Sequence, residues 1–111
     1  MNFGTKLIHA SGDIDSATGS VSTPIYQTST FHQFDINNFG KYDYSRSGNP
    51  TRDILENLIS ELEGGVRGFA FASGMAAICS VLSLFSAGDH IIICGDVYGG
   101  TYTSPQIIMW S

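Results

Sequence analysis

The sequence predicts an α/β fold: the start of a layer of parallel strands crossed by helices, preceded by an extended arm. Three observations carry that expectation. Residues 1–41 show no sustained hydrophobic periodicity. One helix then opens and closes with strong local signals between Asn49 and Gly64. After it, the order strand, helix, strand with short connections implies parallel pairing and a right-handed crossover.

The arm is rich in Ser, Thr, Gly and Asn. Leu7 and Ile8 suit a short helical turn, and the proline makes Thr23-Pro24-Ile25-Tyr26 an extended stretch. So long a segment with little regular structure is unusual inside a compact domain. A disordered tail is the alternative, but Ile25, Tyr26, Phe31, Phe34 and Phe39 supply the anchors of an arm that packs on another surface.

The first clear helix has Asn49 as its cap, Pro50 in the first helical position and Gly64 at its end. Ile54, Leu55, Leu58, Ile59 and Leu62 form one apolar stripe between them. A short strand is expected over Gly68 to Ala72, a turn at Ser73-Gly74, and a second helix from Met75 to Phe85. Met75, Ile78, Val81, Leu82 and Phe85 would face inward, and Gly88 would stop the helix. His90 to Cys94 is a continuous apolar, β-branched run, the pattern of a strand buried on both faces. Gly95 to Thr101 reads as a loop.

Composition narrows the function. The chain has 111 residues, 42% of them hydrophobic, with a mean hydropathy of +0.08, which is enough for a packed interior. Only 14% are charged, against about 25% in an ordinary soluble domain, so much of the surface is expected to be covered. The net charge of -5 and the lack of any basic run argue against nucleic acid and anionic membranes as partners. Cys79 and Cys94 sit in apolar stretches without metal-ligand spacing and read as buried, reduced thiols. No signal-peptide pattern opens the chain, and no apolar run approaches the roughly 18 residues of a membrane span. The expected location is cytoplasmic.

Ligands of open parallel sheets bind beyond the C-terminal strand ends, here Ser73-Gly74-Met75 and Asp96 to Gly100. The first begins a helix, whose N–H groups and dipole favour an anion, and Gly74 lets the backbone come close. An ordinary strand-to-helix turn would use the same residues. No Walker motif or dinucleotide fingerprint is present. Tyr98 could stack on a flat heterocycle or simply cap the sheet. Tyr44 and Arg46 pair a hydroxyl with a forked cation, suited to phosphate oxygens, and a surface arginine on a turn is the plainer alternative. His9, His32 and His90 are scattered and read as structural, and no catalytic triad or metal site is expected.

Several long motifs then occur in order. They are Thr5 to Ala10, Thr23 to Phe31, Tyr44 to Arg52, Leu62-Glu63-Gly64-Gly65, Gly68 to Ile78, Ser86 to His90, and Asp96 to Tyr102. Across residues 3–102 the chain resembles the N-terminal third of the Cys/Met-metabolism family of pyridoxal-phosphate enzymes, which includes cystathionine γ-synthase, the cystathionine lyases and methionine γ-lyase. The resemblance implies a fold-type-I, aminotransferase-like PLP-transferase large domain, of which this is the N-terminal part, in a homotetramer of tight dimers. It implies pyridoxal 5'-phosphate as cofactor, held at its phosphate by the backbone of Gly74 and Met75. Tyr98 would stack on the pyridine ring, and Tyr44 and Arg46 would reach the phosphate of a neighbouring subunit.

The family's cofactor-binding lysine lies in a Ser-x-Thr-Lys setting that Lys6 and Lys41 do not match, so no catalytic residue is assigned. The match is expected to end after Tyr102. On this reading residues 1–41 are an intersubunit arm, 42–102 begin the cofactor-binding domain, and 103–111 are a non-matching tail from a truncated or shifted frame. The expected function is a transsulfuration enzyme of methionine biosynthesis, a lyase or γ-replacement transferase acting on C–S bonds of cystathionine or related amino acids. A catalytically inactive remnant or self-association module of the same fold is the alternative. The residues that separate synthase from lyase are not among these motifs.

Overall fold

The computed structural model describes residues 2–9 and 14–108, with side chains as far as Ser104. Ala10 of the opening motif, and Met109 to Ser111 of the expected tail, lie outside the described residues. Four helices follow one another: α1 (Phe3–His9), α2 (Pro50–Leu62), α3 (Gly74–Leu82) and α4 (Gly99–Ile108). The chain divides after Ala70 into two compact units.

In the first unit, Asn2 starts α1: its Oδ1 accepts from the N–H and the hydroxyl of Thr5, both at 2.8 Å. The helix is longer than the single turn expected at Leu7-Ile8, and it packs on α2 with Lys6 Nζ 3.5 Å from Glu61 Oε1. α2 forms as its local signals predict. Asn49 is extended (φ -147°) and its side chain accepts from the Thr51 N–H at 2.9 Å, and Pro50 opens the helix. Gly64, at φ 65°, turns the chain away in the left-handed region.

The cap also anchors the segment before it. The Tyr26 N–H donates to Thr51 Oγ1 at 2.9 Å, while its carbonyl accepts from Asn49 Nδ2 at 3.1 Å. Further along, Phe31 N–H donates to the Asp43 carbonyl (2.8 Å) and Ser45 N–H to the Ser29 carbonyl (2.9 Å). Gln33 bridges the Tyr42 carbonyl and the Gly40 N–H, both at 2.7 Å. Residues 26–33 are therefore stitched to 40–51, whereas Phe34 (90% exposed), Ile36 and Phe39 stand in solvent.

After α2 the chain returns along the helix. A Cβ on Gly68 would sit 2.3 Å from the Glu56 carbonyl oxygen, so only glycine fits there. Two residues on, Ala70 N–H donates to Glu56 Oε1 at 2.9 Å. Leu55 and Ile59 of the predicted stripe are half-exposed and, with Phe69 and Ala70, line an open apolar cleft of about 120 Å³.

The expected strands are corrected. Among the described residues there is no strand, only an isolated antiparallel bridge between Thr30 and Tyr44. A strand exists only through a partner's N–H and C=O groups, and neither 68–72 nor 90–94 has such a ladder. Ile92, expected to be buried on both faces, is fully exposed (101%). Cys94 is exposed for the same reason and Cys79 half-buried, both as free thiols.

In the second unit α3 ends at Leu82, short of the expected Phe85. Leu84 N–H reaches back to the Val81 carbonyl and Phe85 N–H to that of Leu82, closing tight three-residue turns in place of another α-helical turn. Val81 and Phe85 accordingly stand outward. Leu82, 7% exposed, is the one buried apolar side chain among the described residues. Gly88, at φ 101°, shapes the later Ser86–Asp89 turn and does not stop the helix.

α4 begins at Gly99, inside the predicted loop, with the Tyr98 carbonyl accepting from the N–H groups of Thr101 and Tyr102. It continues through Pro105, which has no N–H to give the Thr101 carbonyl. Packing on α3 sustains it. Ser104, itself buried, donates to the Gly100 carbonyl at 2.6 Å and accepts from the Cys79 thiol at 3.9 Å. No helix is long and apolar enough to cross a membrane among the described residues.

Candidate functional site

Tyr44 and Arg46 lie on a tight turn just before α2. The Tyr44 carbonyl accepts from both the Ser47 N–H (2.9 Å) and the Gly48 N–H (3.0 Å), which closes the turn. Ser45 ties it down on one side: its hydroxyl donates to the Thr28 carbonyl and accepts from Asn49 Nδ2 at 3.0 Å. Arg52, one turn into α2, ties it from the other. Its Nη1 donates to the carbonyls of Ser45 (3.1 Å) and Arg46 (3.3 Å), and its Nη2 to that of Ser47 (3.0 Å). All four carbonyls from Tyr44 to Ser47 are thus engaged. The two side chains of interest remain open: Tyr44 is 39% exposed, Arg46 is exposed, and the Arg46 guanidinium lies 5.1 Å from the centre of the Tyr44 ring. A phenol and a guanidinium side by side on an exposed turn suit a phosphate in residue type.

Beside this turn, Asp53 collects Lys41 Nζ at 2.7 Å and the Tyr42 hydroxyl at 2.8 Å. The hydrogen bond from Lys41 holds the Asp53 carboxyl below its ordinary value, with Tyr42 adding to the effect. The same bond pushes Lys41 above its own ordinary value. Lys41 is therefore not set up as a neutral amine. Lys6 is paired too, with Glu61.

In the second unit, Ser73 caps α3. It is extended (φ -153°), and its Oγ accepts from the Ala76 N–H at 3.1 Å and its carbonyl from the Ala77 N–H at 3.2 Å. The N–H groups of Gly74 and Met75 have no acceptor among the described residues, and nothing lies within 4 Å of a Cβ built on Gly74. The serine satisfies the Ala76 N–H and leaves those of Gly74 and Met75, the two expected to hold an anion.

Met75 and Tyr98 come together at Gly100. A Cβ there would lie 2.9 Å from Tyr98 Cε1 and 3.0 Å from Met75 Sδ, so the tyrosine ring rests where a side chain would be. Thr101 Oγ1 approaches Met75 Sδ at 3.9 Å. Tyr98 is 72% exposed, leaving ring surface free for a flat heterocycle.

Two groups had no marking at the level of residue type. The three acceptors of Arg52 are backbone carbonyls, which no motif reveals; its position i, i+4 to Glu56 was the available sign of a structural arginine. Gly100 appears only as half of a glycine pair. Among the described residues no group of three or more His, Cys, Asp or Glu side chains is arranged to hold a metal ion.

The chain has counterparts among known proteins. The family described as Cys/Met metabolism PLP-dependent enzyme matches residues 4–109, and the chain belongs to it. The cofactor of that family is pyridoxal phosphate. A cystathionine beta-lyase of Lactococcus lactis subsp. cremoris is 63% identical over 98 residues, covering 88% of this chain and 26% of the relative. Among solved structures, cystathionine gamma-lyase from Lactobacillus plantarum complexed with L-serine aligns with a TM-score of 0.86 and 55% identity, over 99% of this chain and 29% of that one. A cystathionine gamma synthase from Xanthomonas oryzae pv. oryzae gives a TM-score of 0.86 and 38% identity, over 97% and 28%. The chain spans about a quarter of the length of the curated relatives it matches. The family match runs on past Tyr102, through most of the tail that was expected to depart from it.

Proposed function

We propose that this chain is the cofactor-cradling N-terminal portion of a transsulfuration enzyme that acts on the C–S bonds of cystathionine or a related amino acid. Bound pyridoxal phosphate supplies an electron sink for the carbanion left when an amino acid loses its α-proton. The chain's own residues would hold and orient that group. The Gly74 and Met75 N–H groups would donate to phosphate oxygens, the Tyr98 ring would support the pyridine, and Tyr44 with Arg46 would serve the phosphate held by a second copy.

The observation that carries the reading is the Tyr44–Arg46 pair, open to solvent on a turn whose carbonyls are all engaged. The apolar surface left bare at Phe34, Ile36, Phe39, Leu55 and Ile59 supports a homo-oligomer in which the arm is covered. Identity of 63% to a cystathionine beta-lyase, against 45% to a probable cystathionine gamma-synthase of Herpetosiphon aurantiacus, favours the lyase type.

By itself the chain is not expected to turn over cystathionine, because phosphate contacts bind ground state and transition state alike.

The test is binding of pyridoxal phosphate and of pyridoxal, measured separately by equilibrium dialysis. Arg46→Ala should weaken the phosphorylated ligand about tenfold, the value of one charge-assisted hydrogen bond, and leave pyridoxal unchanged. Equal affinities of wild type and Arg46→Ala for pyridoxal phosphate would refute the assignment.

A further inference from the structure

We infer that Arg52 is a positioning residue for the phosphate site: it aims the Arg46 side chain by gripping both peptide planes that flank the Arg46 Cα. The inference rests on the reading of Arg46 as a phosphate ligand. A peptide unit is planar, so holding its carbonyl oxygen restrains how the plane can turn about the Cα atoms on either side. The Ser45 carbonyl belongs to the plane before Arg46 and the Arg46 carbonyl to the plane after it. Arg52 Nη1 donates to both, at 3.1 and 3.3 Å. With both carbonyls held by one nitrogen, φ and ψ of Arg46 are restrained together, and with them the direction of its Cα–Cβ bond.

Nη2 extends the grip to the Ser47 carbonyl at 3.0 Å, using the planar fork that only arginine offers. A lysine would bring the charge but not three aligned donors. Arg52 is itself held: its Nε lies 3.7 Å from Glu56 Oε1, the same oxygen that accepts the Ala70 N–H. The guanidinium therefore has its edges occupied by protein, unlike Arg46, and is built to hold the turn and not to meet the ligand.

The test compares wild type, Arg52→Lys, Arg46→Ala and the double variant, each titrated with pyridoxal phosphate and with pyridoxal. Arg52→Lys should weaken pyridoxal phosphate about tenfold, as if one aligned charge-assisted hydrogen bond were lost, and leave pyridoxal unaffected. In the Arg46→Ala background the lysine substitution should have no further effect, since its route runs through Arg46. Additive losses would mean a general structural role and would overturn the inference. If Arg46→Ala weakens binding while Arg52→Lys does not, the inference fails and the site reading stands. If Arg46→Ala itself has no effect, both fail. Amide hydrogen exchange gives a second readout that does not depend on the ligand. In Arg52→Lys, exchange should quicken at Ser47 and Gly48 while Leu58 and Ile59 inside α2 keep their protection. Quickening throughout the first unit, or loss of its helical signal, would overturn the inference.

Discussion

Replacing Gly68 with alanine adds one carbon where the returning chain touches α2. The new Cβ would lie 2.3 Å from the Glu56 carbonyl oxygen and 3.1 Å from its carbon, and both are helix backbone that cannot swing aside. Real Cβ contacts stop near 3.0 Å, so the segment must retreat by roughly 0.7 Å, the gap between that floor and 2.3 Å. An equal retreat takes the Ala70 N–H bond to Glu56 from 2.9 Å to about 3.6 Å, beyond hydrogen-bonding range. The unit either keeps the overlap, at about 1–3 kcal/mol, or gives up a bond to a carboxylate, at about 1.5–3 kcal/mol. Either route costs about 1–3 kcal/mol, a fall in melting temperature on the order of 5–20 °C for a domain this small. Thermal unfolding followed by far-UV circular dichroism measures it, and hydrogen exchange at Ala70 shows which route is taken. Gly64→Ala is the comparison. Space around that Cβ is open, but the left-handed φ of 65° costs about 1 kcal/mol. Because Gly68 has no such φ, its penalty is purely one of space. A Gly68→Ala chain that melts within a degree or two of wild type would refute the close approach.

Two further outcomes follow from the Asp53 cluster. The folded carboxyl is held below its unfolded value of about 3.9, so the pair stabilises the chain above about pH 4 and the benefit disappears as pH falls through the lower folded value. Asp53→Asn should flatten that acid limb and cost about 0.2–1 kcal/mol at neutral pH, the worth of a largely exposed pair; an unchanged acid limb in urea titrations would contradict it. Lys41 should resist covalent attachment of pyridoxal phosphate at neutral pH, when trapped with borohydride and mapped by mass spectrometry, because its ammonium form is favoured. Asp53→Asn should raise that labelling, and efficient labelling of wild-type Lys41 would contradict the assignment.

What could be read from the sequence was what is decided locally. Asn49, Pro50 and Gly64 act within a few residues of themselves, and α2 has the bounds they predict. The turn at Ser73-Gly74 was also legible, but not that the Ser73 hydroxyl caps the helix by accepting from the Ala76 N–H. The run from His90 to Cys94 was misread because β-branched composition states a preference for pairing and says nothing of the partner. α4 was missed because Gly99, Gly100 and Pro105 are breakers by propensity, and only the packing of Met75, Cys79 and Ser104 between α3 and α4 overrides them. Tyr44 and Arg46 were visible as residue types. The device that holds them was not, since it works through carbonyls.

The cations of this chain differ in whether a carboxylate faces them, and Lys41, which has one, also lies over the Tyr42 ring. Lys6, Lys41 and Arg52 each face a carboxylate, while Arg46 and Arg67 lie over the rings of Tyr44 and Phe69. A carboxylate cancels a positive charge as seen from a distance; an aromatic face attracts it and leaves it standing. At physiological salt a dianion near this chain of net charge -5 feels mainly the charges within about one Debye length, ~8 Å, so an uncancelled guanidinium attracts it only at close range. Added salt weakens the attraction and the repulsion together. Such a surface discriminates against anions that merely drift near it, and its grip on a phosphate should vary less with ionic strength than that of a site ringed by lysines.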